Sequence, residues 1–128
     1  MNVSEIKKLF GHKLIGGSYM KRMVVRTLQK FPDDIAMRIA KDCWFISSFP
    51  DGWAFTIRRN ELKKEEHLIF LADELLDQDE GQIMWTIAHE IGHVILGHRN
   101  SIGKVQTKSE VRRQEKEADE FAKEYLHV

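Results

Sequence analysis

His89-Glu90-Ile91-Gly92-His93 is the segment of this chain with the most specific chemistry. Histidines four residues apart lie on one face of a helix, and two imidazoles at that separation can share a metal ion. The glutamate beside the first histidine is set to take a proton from a water that the metal acidifies. A helix turns about 100° per residue, so the two imidazoles project about 40° apart. On the same wheel Met84, Ile87, Ala88, Ile91, Val94 and Ile95 form a stripe about 120° wide on the opposite side. That pattern predicts a helix over residues 79–97 whose back packs on the rest of the domain, with Trp85 and Leu96 flanking the histidines. Gly92 costs such a helix about 1 kcal/mol relative to alanine, so its presence points to a close approach by another segment or to access.

A catalytic zinc takes three protein ligands and leaves a fourth position for water. Cys43 is the single cysteine, which excludes an intramolecular disulfide and leaves histidine and carboxylate as the available donors. His98 lies close in sequence. On a continuing helix, however, it would project about 160° from the centre of the histidine pair, and metzincin spacing needs one residue more. It is expected to cap or follow the helix end, where a cation is favoured. A closing helix is predicted over residues 109–126, with Val111, Ala118, Phe121, Ala122 and Tyr125 as its apolar stripe. Lys116, Glu117, Glu120, Lys123 and Glu124 then face solvent. Glu115 and Asp119 fall on or at the edge of the apolar face, where an ionised carboxylate is costly without a partner. Glu115 is therefore expected to be the third zinc ligand. Asp119 is expected to accept from the free N–H of a ligating histidine and fix its tautomer. Without the upstream motif, ordinary salt-bridged edge carboxylates would be the better explanation.

Other elements must hold these two helices. Residues 1–31 read as an N-terminal helical segment, broken at Gly16-Gly17, with Ser18 able to cap a second helix that carries Met20, Met23, Val24, Leu28 and Phe31. Pro32 suits the start of a third helix with Ile35, Ala36, Ile39 and Ala40 inward. Trp44-Phe45-Ile46, Trp53-Ala54-Phe55-Thr56-Ile57 and His67-Leu68-Ile69-Phe70-Leu71 read as strands, with Pro50-Asp51-Gly52 as a turn between the first two. The expected fold is α+β: a minimal zincin-like domain spanning residues 1–128, with residues 32–128 as catalytic core and a small, three-stranded, mainly antiparallel sheet. Twenty basic and twenty acidic residues cancel, so charge offers no case for nucleic acid or an anionic membrane as partner. No secretory leader and no run of membrane-spanning length is apparent, and a cytoplasmic protein is expected.

HEIGHVILGH followed by EKEADEFA resembles the ImmA/IrrE family of zincin-type metallopeptidases, and more broadly gluzincins that pair H-E-x-x-H with a downstream E-x-x-x-D helix. The resemblance implies a peptidase with one zinc ion, His89, His93 and Glu115 as ligands, and Glu90 as general base. Asp119 stands where many members carry Asn. The resemblance also implies a protein substrate, such as a transcriptional repressor encoded nearby. The residues leave two further functions open: a zinc hydrolase of a non-peptide substrate, and a non-cleaving zincin shell that docks a regulator. A substrate strand could add to residues 53–57 or 68–71. For an oxyanion, Tyr19, His67, Tyr125 and His127 are available and spacing selects none. His12 and His127 are expected at the surface.

Overall fold

The structure, a computed structural model, describes residues 1–47, 66–98 and 107–127. Helix α1 (Val3–Phe10) opens on a reciprocal cap: Asn2 accepts from the Glu5 amide and Glu5 reaches back to the Asn2 amide. Gly11, at φ 60°, ends α1 and leads through one 3-10 turn into the two-residue strand β1 (Leu14–Ile15). Helices α2 (Ser18–Leu28) and α3 (Asp33–Asp42) follow, with Gly17 and Pro32 as their N-caps. Strand β2 (Cys43–Ser47) continues directly from α3. Beyond the first undescribed segment come β3 (His67–Leu71) and the one-turn helix α4 (Asp73–Leu76). Two long helices close the chain, α5 (Glu80–Ile95) and α6 (Lys108–Leu126).

The described sheet has the order β1-β2-β3 and both of its pairings are parallel. Leu14 pairs with Phe45, and Cys43 with His67. This corrects the expected mainly antiparallel sheet: the fold is mostly helical, with a small all-parallel sheet. Two physical reasons account for the difference. The N-terminal strand is only two residues long and lies in a stretch whose pattern reads as helix, so it carries no period-2 signal. The direction of β3 against β2 is a relation between segments distant in sequence, which Pro50-Asp51-Gly52, a signal of local reversal only, does not report. The strand expected at residues 53–57 lies outside the described residues. All five residues of β2 are buried, and its unbroken Cys43-Trp44-Phe45-Ile46 run suits a central parallel strand covered on both faces.

The N-terminal third shares the core with the rest of the chain. Ile6, Phe10, Met23, Val24 and Leu28 join Phe45, Ile83, Ile87 and Ile91 in one buried cluster. Burial, with Asp42 adding to it, pushes the Cys43 thiol up to about 12, which keeps it protonated and inert as expected of a core cysteine. Gly16 permits the close approach of β1 to β2: at φ 157°, a Cβ there would lie 2.4 Å from Ser47 Oγ. Among the described residues no helix is long and apolar enough to cross a membrane.

Both site helices start where local chemistry dictates. Asp79 caps α5 by accepting from the Gln82 amide at 2.8 Å, and Thr107 caps α6 by accepting from the Glu110 amide at 3.1 Å. The back of α5 buries Ile83, Ile87, Ala88, Ile91 and Val94, close to the predicted stripe, with Ile83 added and Met84 and Ile95 only half-buried. On α6, Ala118, Phe121 and Ala122 are buried, but Val111 is exposed, so the apolar stripe is shorter than expected. Gly92 faces Phe121, and a Cβ at residue 92 would lie 3.1 Å from Phe121 Cδ1. Phe121 is itself held by Phe31, stacked at 5.6 Å between ring centroids, and by Tyr125 at 4.9 Å. Phe121→Ala is expected to cost about 3–5 kcal/mol of stability. Gly92→Ala should also destabilise, despite alanine's better helix propensity, because the Phe121 ring has little room to yield. Urea denaturation measures both, and a Gly92→Ala chain as stable as the parent would show that this contact does not set the helix spacing.

Candidate metal centre

His93 meets Glu115 and His89 meets Asp119, so α5 and α6 run antiparallel and the ascending face of one matches the descending face of the other. Glu115 bridges the two rings: Oε2 lies 2.9 Å from His89 Nε2, and Oε1 lies 3.2 Å from His93 Nε2. The two Nε2 atoms are 3.1 Å apart. His89, His93 and Glu115 form a group of potential metal ligands whose donor atoms lie within 4.8 Å of one another. They are the three residues that the sequence reading expected to hold a zinc ion, brought together here.

The donor set suits a positive centre, whether a shared proton or a metal ion. His89 Nδ1 lies 2.8 Å from Asp119 Oδ1, and a carboxylate there requires an N–H on Nδ1. In the neutral ring Nε2 is then a bare lone pair, and it faces the Glu115 carboxylate and a second imidazole nitrogen. Acceptors gathered this closely repel unless a positive centre lies among them. The 2.9, 3.1 and 3.2 Å separations approach the roughly 3.3 Å edge of a tetrahedron with zinc bonds of about 2.0 Å. The residues therefore fit a zinc ion. Asp119 lies behind His89, on the ring nitrogen that faces away from Glu115, where a carboxylate can fix the tautomer.

Burial does not account for the position of Glu115. Its side chain is 53% exposed, so it is not a carboxylate forced into a core. Its helical phase was the valid clue, and the burial cost was not. Glu90 is half-buried on α5 between the two histidines in sequence, and its charge acts on His93. Tyr19, His67, Tyr125 and His127 stand outside the ligand group: Tyr125 packs in the Phe31–Phe121 cluster, and Tyr19 lies under Arg22. His12 and His127 are exposed, as expected. The α5–α6 seam continues past Trp85, one turn before His89, into an open cavity of about 390 Å³ lined by Trp85, Gln82 and Leu126 among others.

One neighbour of the site was not anticipated. His98 Nδ1 lies 2.9 Å from His93 Nδ1, and Glu117, expected to face solvent, approaches His98 Nε2 at 3.7 Å. His98 follows the end of α5 and stays outside the ligand group, as expected, but α5 stops at Ile95 and the chain turns His98 back onto His93. The clue in the sequence was Gly97: a glycine just past a helix end reverses the chain onto the last turn.

The half of the molecule that carries this geometry is also where its kinship lies. It is a peptidase by family: a model described as Peptidase U49 matches residues 58–127, more than half of the 128-residue chain, and the chain belongs to that family. The match takes in α4, α5 and α6 and does not reach α1–α3. No curated protein and no solved structure matches the chain. The family found is Peptidase U49, and the likeness to ImmA/IrrE proteins rests on the two quoted segments alone.

Two outcomes are expected. Asp119→Ala removes the acceptor behind His89 and should weaken zinc binding by about 10–100-fold in a chelator competition; unchanged affinity would remove Asp119 from the site. The second concerns pH. Burial first, and then the neighbouring His89, hold the His93 pKa below its ordinary value of 6.5. The unfolded chain therefore binds more protons in the window just under pH 6.5. The stability that neutral His93 contributes is complete above that window and is lost as pH falls through it. Melting temperatures of chelator-stripped protein should rise with pH up to about 6.5, and the rise should shrink in His93→Gln. An equal rise in that variant would assign it to other groups.

Proposed function

We propose that this chain is a zinc-dependent endopeptidase acting on a regulatory protein, with one zinc ion held by His89, His93 and Glu115. The observation that carries the proposal is the convergence of two Nε2 atoms from α5 and one carboxylate from α6 within 2.9–3.2 Å, beside a glutamate on the same helix. When bound, zinc polarises a carbonyl and acidifies a water. The protein does the rest. Glu90 takes a proton from the attacking water at a carboxylate oxygen and delivers it to the amide nitrogen as the C–N bond breaks. The lowered His93 pKa keeps that ring neutral, which is the form that donates a lone pair. Asp119 holds the His89 proton on Nδ1 and leaves Nε2 to bind.

Membership of a peptidase family supports peptide bonds as the target, over a non-peptide substrate. The resemblance to ImmA/IrrE proteins supports a transcriptional repressor as the substrate class, and a balanced charge supports action without direct contact to nucleic acid. Among the described residues β3 is an outer strand with Phe70 exposed, which suits addition of a substrate strand there. A single, buried, protonated cysteine suits a reducing cytoplasm.

The test pairs metal analysis with cleavage of a repressor encoded beside the gene. Glu90→Gln should retain zinc and lose turnover by about 10²–10⁴-fold. Glu115→Ala should lose zinc while Glu120→Ala keeps it. Full turnover by Glu90→Gln would remove Glu90 from the mechanism. Repressor binding without zinc-dependent fragments would favour a docking module over a protease.

A further inference from the structure

The end of α5 is built to put one residue back on the site. Leu96 is the C-cap, and Gly97 follows at φ 71° in the left-handed region that favours glycine. Two backbone bonds close the turn: the Gly97 amide donates to the Val94 carbonyl at 3.2 Å, and the His98 amide to the His93 carbonyl at 2.9 Å. This pair defines a Schellman turn, in which the second residue beyond the cap packs on the residue five positions earlier. An apolar contact usually occupies those two positions. Here they are His98 and His93, with ring centroids 5.2 Å apart and Nδ1 atoms 2.9 Å apart. The His98 side chain is only 8% exposed.

Two imidazole nitrogens at that distance must share one proton, one ring donating and the other accepting. For His93 to bind a metal through Nε2, the proton must sit on its Nδ1. His98 Nδ1 is then the acceptor, and the His98 proton sits on Nε2, 3.7 Å from Glu117 Oε2, an electrostatic contact longer than a hydrogen bond. Arg113 anchors Glu117 from one turn earlier on α6, its Nε 3.3 Å from Glu117 Oε1. The relay runs from the metal ligand through a turn residue to an ion pair on the opposite helix. We infer that His98 is a positioning residue, and that the Gly97 turn, Glu117 and Arg113 act through it to hold His93 in its metal-binding tautomer and ring orientation. His98 does for His93 what Asp119 does for His89, from the other end of the site. The inference rests on the zinc reading proposed above.

The experiment measures zinc affinity by chelator competition and the visible spectrum of the cobalt-substituted protein, on wild type, His98→Phe, His98→Gln and Glu117→Gln. Outer partners of ligating histidines typically account for about 10–100-fold in metal affinity. His98→Phe keeps the packing of a ring and loses the acceptor, so it should weaken zinc by that factor and shift the cobalt bands. His98→Gln retains an acceptor and should recover part of the loss. Glu117→Gln, remote from the turn, should weaken zinc in the same sense by less. Melting of the metal-free proteins separates this from packing: a purely structural His98 would lower melting temperature in His98→Phe and leave the cobalt spectrum of the folded fraction unchanged. Zinc affinity within twofold of wild type in both His98→Phe and Glu117→Gln, with unchanged cobalt spectra, would overturn the inference and leave the zinc site standing. A wild-type chain that binds neither zinc nor cobalt would overturn both.

Discussion

The distance between α5 and α6 governs everything else at the site. Glu115 has one short side chain with which to reach two imidazoles on a neighbouring helix, and packed helices normally keep their axes about 8–10 Å apart. Gly92 removes a side chain at the crossing and lets the Phe121 ring lie against the backbone of α5. Phe31 and Tyr125 hold that ring from the other side. A rigid aromatic wedge thus sets the spacing, and a half-exposed carboxylate can bridge both histidines without being buried itself. Set against the helix penalty of glycine is a contact that a Cβ at residue 92 would crowd to 3.1 Å.

Ring orientation is controlled separately from ring position. Each of the two imidazoles has one nitrogen facing the shared point and the other tied behind it, His89 to Asp119 and His93 to His98. The two anchors differ in kind. A carboxylate on α6 fixes one proton directly. The other depends on a helix end, because His98 reaches His93 only where the backbone reverses at Gly97. Termination of α5 is therefore part of the site, and partial burial of His93 adds to it by disfavouring the imidazolium.

Sequence periodicity exposed the parts that depend on one element at a time. The spans of α5 and α6, the inward face of α5, the shared face of His89 and His93, and the shared face of Glu115 and Asp119 all follow from angular phase along a helix, which residue spacing encodes. Phase found Glu115 even though the burial cost once attached to it does not apply. Periodicity was silent on β1, too short to show a pattern, and on strand direction, which is a relation between segments distant in sequence. It placed His98 beyond the end of α5, as observed, but not against His93, because a helical wheel carries no information past Gly97. Val111 was read into the apolar stripe because a stripe says which face is apolar and not where a partner ends.

What the sequence determined by itself is the donor set and its local frames: two histidines and a glutamate on one helix, two carboxylates in phase on another, a glycine inside the first helix and a glycine after it. These are consequences of bond geometry repeated along a chain. Only the tertiary structure decided that the frames face each other antiparallel, that an aromatic ring sets their separation, that the three described strands run the same way, and that His98 folds back onto His93. Each of those is a relation between segments distant in sequence or across a break in regular structure, where no local period carries over.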